Sequence, residues 1–226
     1  MNSEELVLQE LYKIITPSKV KMFDEIAAQR TKHLTVALEN VFQEHNASAV
    51  LRSCDCFGIQ ELHVIEKDNQ YKVQRDIALG AGRWVDLFNY NLGTEPTVDC
   101  LKKLKNQGYK IVATSPHAKK TIHTISLDSP TALVFGTERR GISEEVERFS
   151  DELIRIPMYG FTESFNVSVS VALTLHTLRN RLESSTINWK LSTDDQTRLK
   201  LQWCRKILRG GQLLEDEIRR RLFEKE

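Results

Sequence analysis

The hydrophobic positions of this chain change their period several times, and each change marks an element. Over the first thirty or so residues they recur every three to four positions. That predicts two helices, Glu4 to Ile15 and Ser18 to Arg30. Pro17 falls where the second would begin, a place that suits its fixed φ and missing N–H. LTVALE (Leu34 to Glu39) then reads as a strand, and Asn46 to Gly58 as a helix with Asn46 at its N-cap and Gly58 past its end. ELHVIE and RWVDLFNY (Arg83 to Tyr90) read as two more strands. TEPTVDCLKKLKNQG reads as a helix capped by Thr94 and stopped by Gly108. Tyr109 to Ser115 and Ala132 to Gly136 are short apolar runs of the kind found in buried parallel strands. ISEEVERF predicts a short helix and ELIRIPM a strand. Asn166 to Glu183 predicts a long helix with little charge before Arg179, which has to bury its apolar face against a sheet or a second subunit.

Strands alternating with helices predict an α/β fold with a mainly parallel sheet. After a break at SSTINWKLST, two charged helices lie either side of Gly210 and Gly211. The chain therefore divides into an N-terminal helical extension (1–32), a central α/β domain (33–184) and a C-terminal helical extension (185–226).

Composition changes this picture little. A hydrophobic content of 40% and a charged content of 28% match soluble globular domains. No run nears the roughly 18 apolar residues of a membrane span. The N-terminus, MNSEELVLQE, lacks the basic-then-apolar order of a signal peptide, so a cytoplasmic protein without membrane contact is expected. Cys54, Cys56, Cys100 and Cys204 form no C-x-x-C unit and read as free thiols, and no metal is expected. Charge is nearly balanced, with 32 Lys+Arg against 31 Asp+Glu. A nucleic-acid partner would have to be met by basic residues gathered on one face.

Three stretches can carry chemistry. In ENVFQEHNASAVLRSCDCFG, Asn46 and Arg52 lie about a turn and a half apart on one helix. Together they form a clamp for a phosphate or ribose, or simply a cap and a surface arginine. In LVFGTERRGIS, a G-x-E-x-x-G turn at the end of an apolar strand permits close backbone approach to a ligand and puts Glu138 at the strand's carboxyl edge. It is neither a P-loop nor a dinucleotide fingerprint, and no G-x-G-x-x-G follows the first strand. In IPMYGFTESFNVSVSVALTLH, Ser164 and Asn166 flank Phe165 ahead of the apolar helix, where they serve either a site or the helix cap.

Taken together and in this order, the three stretches resemble the motifs of the SPOUT methyltransferases, and within them the TrmH (SpoU) family of RNA 2'-O-ribose methyltransferases. RTKHLTVALENV, GAGRWVDL and the Trp-containing C-terminal helices are similar to the branch that modifies guanosine 18 of tRNA. The resemblance implies an α/β-knot fold with a C-terminal trefoil knot over roughly Thr131 to Leu182. It also implies a homodimer and S-adenosyl-L-methionine as cofactor. The activity implied is 2'-O-methylation of tRNA in the D-loop, with rRNA as the alternative substrate and a catalytically silent RNA-binding protein as the alternative of another class. By position, the cofactor contacts are Thr114, Gly136, Ile156 and Phe165. Arg52 would steady or deprotonate the ribose hydroxyl with Asn46 beside it, and Glu138, Ser164 and Asn166 would shape the pocket. Candidate RNA contacts are Arg30, Lys32, Arg75, Arg83, Arg139, Arg140, Arg205, Lys206 and Arg209, while Trp203 is expected to pack. About thirty residues precede the first strand and a helical tail follows the core, an arrangement that favours tRNA over rRNA.

Overall fold

The computed structural model describes residues 2–41, 43–67, 71–72, 74–137 and 140–223, with only the backbone at Arg75. Every residue of Leu34–Glu39, strand β1, is buried. It pairs in parallel with β2 (Glu61–Ile65) on one side and β6 (Thr131–Phe135) on the other, so that Val36 lies between Leu62 and Leu133. β3 (Asp86–Tyr90) continues the sheet beyond β2. On the far side follow β4 (Lys110–Thr114), β7 (Glu152–Arg155) and the two-residue β5 (Lys120–Thr121). The order is β3-β2-β1-β6-β4-β7-β5, and every pairing is parallel.

Side chains alternate across this sheet, and the alternation fixes the layers. Leu34, Val36, Leu38, Leu133 and Phe135 face α3 (Glu44–Cys56) and α7 (Val167–Glu183), meeting Val50, Leu51, Cys54, Val171, Leu175 and Leu178. Ala37, Ile111, Ala113, Ala132 and Val134 face the opposite way. They meet Cys100, Leu101 and Leu104 of α5 (Pro96–Asn106) and Val146 of α6 (Glu144–Phe149). Each buried Leu or Val contributes roughly 1.5–3 kcal/mol. An α/β sandwich with helices on both faces of a parallel sheet therefore follows from central strands buried on both faces, whose side chains alternate between two apolar layers.

Several element ends differ from the expectation. Helix α3 begins at Glu44 with Gln43 as its cap, so Asn46 sits in the first turn, where its side chain is engaged elsewhere. Thr94 does not cap α5. Glu95 precedes Pro96, which takes the first helical position because its ring presets φ there. Arg83 lies before the third strand, in a 3-10 turn (Ala81–Arg83) that follows α4 (Arg75–Ala78) and opens at Gly80 in the left-handed region. β5 was not expected, being only two residues long.

Two compact units make up the chain: Thr31–Trp189, which holds the sheet, and residues 1–30 with 190–226. In the first, the Arg179 guanidinium lies 3.6 Å from the Trp189 ring centroid and pairs with Glu183 at 3.3 Å. In the second, α1 (Ser3–Tyr12) and α2 (Pro17–Ala27) pack with α8 (Thr193–Ile207) and α9 (Gly211–Phe223). Trp203 is fully buried there, edge-on to Phe23 at 5.2 Å, so it packs. Among the described residues no helix is long and apolar enough to cross a membrane, and no cluster of three His, Cys, Asp or Glu could hold a metal ion.

Candidate active site

A cavity of about 580 Å³ opens at the carboxyl ends of β4, β6 and β7. That is where parallel α/β sheets hold their ligands, because the strands stop there and the connecting loops splay apart. Thr114 ends β4 and donates its hydroxyl to the Val134 carbonyl at 3.3 Å. Gly136 follows β6. Ile156, Ser164 and Phe165 lie on the segment between β7 and α7. All five line the cavity, as does Arg140. Residues more than forty positions apart in sequence thus share one wall.

The loop after β6 explains its own glycines. Thr137 and Gly141 form a two-way backbone bridge, at 3.0 and 2.9 Å, that folds the loop back on itself. A Cβ on Gly136 would stand 2.0 Å from the Gly141 carbonyl oxygen, so only glycine fits. Gly141 itself has φ +67. Glu138 and Arg139 lie outside the described residues.

A hydrogen bond between Asn46 and Asn166 joins the first and third motifs. Asn166 caps α7, its Oδ1 accepting from the Ser168 amide at 2.9 Å and hydroxyl at 2.6 Å. Its Nδ2 donates to Asn46 Oδ1 at 3.0 Å, and Asn46 Nδ2 donates to Gln43 at 3.1 Å. Asn166 is thus the helix cap that the sequence offered as one of two alternatives, and it also bridges to Asn46. Tyr71 buttresses α3 by donating its hydroxyl to the Ala47 carbonyl at 3.0 Å. Burial, with the nearby Cys54, raises its phenol well above the ordinary value, which keeps that donor protonated. Arg52 stands exposed on α3 and is not among the cavity-lining residues.

The expected basic contacts divide sharply. Arg30 is 2% exposed, its guanidinium 5.7 Å from the centroid of the Trp203 ring, so it is a packing residue and not a phosphate contact. Arg205 pairs at 2.8 Å with Glu215, which is 2% exposed. Glu215 also accepts from Arg219 at 2.7 Å, so Arg205 belongs to a partly buried ion-pair network, and drawing it toward RNA would break one of that carboxylate's pairings. Lys32 pairs with Glu61 at 3.0 Å. Burial alone would raise the Glu61 carboxyl, but His63 and Lys32 outweigh it and hold the group below its ordinary value. Arg83, Arg140, Lys206 and Arg209 are exposed. Arg75 opens α4, and its side chain lies outside the described residues. Sequence reasoning overlooked Met158, Glu163, Arg155 and His117, which also line the cavity. Their one signal is position, at the carboxyl ends of strands or on the loops that leave them.

Beside the cavity, Ala49 and Ser53 of α3, Phe57 at its C-cap, and Val169, Ala172, Leu173 and His176 of α7 line an open groove of about 470 Å³. Val169 and Leu173 are 43% and 39% exposed, high for apolar residues on the helix that carries the third motif.

Comparisons with known proteins agree with this arrangement. The family model described as "SpoU rRNA Methylase family" matches residues 33–176. A Borreliella burgdorferi protein named tRNA (guanosine(18)-2'-O)-methyltransferase is 37% identical over 209 residues, 92% of this chain and 94% of its own. A Thermus thermophilus protein of the same name is 31% identical over 195 residues, 85% of this chain and 95% of its own. The crystal structure of a TrmH/SpoU tRNA modifying enzyme from A. aeolicus superposes with a TM-score of 0.74 at 30% identity, covering 85% of this chain and 98% of that one. The matched span runs from the residues before β1 into α7 and takes in the whole cavity, so the chain belongs to the SpoU methylase family.

Proposed function

We propose that the chain transfers a methyl group from S-adenosylmethionine to the 2'-oxygen of a ribose in tRNA, at guanosine 18 of the D-loop. The observation that carries this reading is one cavity lined by Thr114, Gly136, Ile156 and Phe165, with the Asn46–Asn166 bond joining the first motif to the cap of α7, next to the lining residues Phe165 and Val167. Its relatives bear the same activity in their names.

The cavity suits such a cofactor. Its volume lies in the small-molecule range. Ile156, Met158 and Phe165 offer apolar faces to a purine, while Ser164, Glu163 and Arg140 offer polar partners to a ribose and an amino-acid group. Bound there, S-adenosylmethionine supplies a methyl group already activated by the sulfonium charge. The chain's own residues then have to orient the 2'-oxygen and accommodate its proton. A guanidinium has a pKa above about 12 and stays protonated. Arg52 therefore acts as a fixed cation toward the negative charge developing on the 2'-oxygen, and the hydroxyl proton passes to solvent water as the O–CH3 bond forms and the S–CH3 bond breaks. Asn46 and Asn166 hold the rim, with Glu138 and Ser164 shaping the pocket. Lys32, Arg75, Arg83, Arg139, Arg140, Lys206 and Arg209 supply phosphate contacts, and the reaction belongs to the cytoplasm.

A second copy of the chain covers the α3–α7 groove. An isologous contact sets like patches against each other, so it would bury Val169 and Leu173. It would also bring a second Arg52, carried on α3 beside Ala49 and Ser53, to the seam next to the cavity. The trefoil knot over roughly 131–182 belongs to the same reading. The family description, which names rRNA, favours rRNA as the second reading. Purified protein, tritiated S-adenosylmethionine and separate pools of unmodified tRNA and rRNA distinguish the two. Label in tRNA, lost in Arg52→Ala and nearly lost in Arg52→Lys, is the expected result. Label confined to rRNA would overturn the substrate.

A further inference from the structure

Glu39 ends β1 and is 5% exposed; it lies in the RTKHLTVALENV stretch, yet it has no assigned role and no step above uses it. Its carboxylate takes three donors. Oε1 accepts from the Thr97 hydroxyl at 3.0 Å and the Ser143 hydroxyl at 2.6 Å, and Oε2 accepts from the Ser143 amide at 2.9 Å. Ser143 in turn caps α6, its Oγ accepting from Val146 N at 3.2 Å. Between β6 and Ser143 lies the loop whose Gly136, Thr137, Arg140, Gly141 and Ile142 line the cavity. One side of that loop is tied to the sheet by β6. The other leaves the Thr137–Gly141 bridge and reaches its next fixed point at Ser143, and that point is held by Glu39.

We propose that Glu39 is a positioning residue for cofactor binding: through Ser143 it fixes the loop that walls the cavity. The geometry makes the coupling tight. The loop already passes so close to Gly136 that a methyl group would not fit, so a small shift at Ser143 changes the cavity wall directly. A carboxylate suits the post because both oxygens must accept. Glutamine can keep its oxygen on the Ser143 amide only by turning its NH₂ to the Ser143 and Thr97 hydroxyls, which must then reverse from donors to acceptors, and it loses the charge that strengthens all three bonds. Thr97 lies on α5, outside the cavity, and so provides an internal control.

This inference rests on the cavity being the cofactor site, and its test separates the two. S-adenosylmethionine binding is measured by calorimetry on the full chain, with melting temperature recorded for each variant. Glu39→Gln and Ser143→Ala are expected to weaken binding about tenfold or more, the effect of losing roughly one charge-assisted hydrogen bond's worth of preorganisation. Ser143→Thr, which keeps hydroxyl and amide, is expected to bind within about twofold of the parent, and Thr97→Ala to lower the melting temperature without weakening binding. In Glu39→Gln, the cofactor KM is expected to rise more than kcat falls. Equal affinity in parent, Glu39→Gln and Ser143→Ala, alongside lowered melting temperatures, would make Glu39 a purely structural residue and overturn the proposal. Should Glu39→Gln not fold, the comparison of Ser143→Ala with Ser143→Thr decides the matter alone. Failure of the parent itself to bind S-adenosylmethionine would overturn the functional reading, and the proposal with it.

Discussion

Gly136 shows how one residue without a side chain sets the shape of a site. Its missing Cβ lets the Gly141 carbonyl fold to within what would be 2.0 Å. Gly136→Ala therefore has to push the loop outward, into the cavity. We expect the variant to fold, to melt several degrees lower, and to lose S-adenosylmethionine affinity by at least about tenfold, a change of roughly 1.4 kcal/mol. Calorimetry on the folded variant checks this; unchanged affinity would mean that the loop does not form the cofactor wall. At this scale the sequence is legible only where a residue has a special chemical shape. The glycines, Asn46, Ser164 and Asn166 stand out in it because few roles suit them. Glu39 does not, since a glutamate at the end of a strand looks solvated until the fold brings Ser143 and Thr97 to it from far along the chain. Arg30 and Arg205 mislead in the opposite sense. Their charge suggests RNA, but Arg30 is buried beside Trp203 and Arg205 is committed to Glu215.

At the scale of elements, the sequence locates the strands well, because β1, β2, β4 and β6 are buried along all or most of their length and are rich in Leu, Ile, Val and Ala. Helix ends are less legible. Gln43 caps α3 without a side-chain bond, and Pro96 displaces the expected cap of α5, so the usual cap signals point to the wrong residues. The apolar run of α7 is legible as something that must be covered, though not by what. Its inner face, Val171, Leu175, Leu178 and Leu182, packs on the sheet, while Val169 and Leu173 remain exposed beside α3. If a second copy covers them, Leu173→Asp sets two carboxylates into an apolar seam and dissociates the dimer. We expect the wild-type chain to run at twice its 26.1 kDa by light scattering, with Leu173→Asp at the monomer mass and methyl transfer reduced at least about a hundredfold. A monomeric parent would contradict this, as would full activity in a monomeric variant.

For the whole molecule, the sheet order β3-β2-β1-β6-β4-β7-β5 does what no linear pattern announces. It sets the ends of β4, β6 and β7 around one cavity and brings Asn46 of the first motif to Asn166 of the third. The α/β class and the parallel sheet were legible from alternation, whereas the convergence of the three motifs on one edge entered only through their joint resemblance to a family. The flanking helices likewise read as two separate extensions, yet residues 1–30 and 190–226 form one unit, because Trp203, Phe23 and Arg30 complete a core that neither segment holds alone. The central claim is that this fold delivers a methyl group to one ribose oxygen of tRNA. The most direct measurement compares two otherwise identical tRNA transcripts, one with an ordinary guanosine at position 18 and one with 2'-deoxyguanosine there, each incubated with the protein and labelled S-adenosylmethionine. Label in the first and none in the second is the result predicted; equal label in both would contradict it, because the acceptor would then be some other atom.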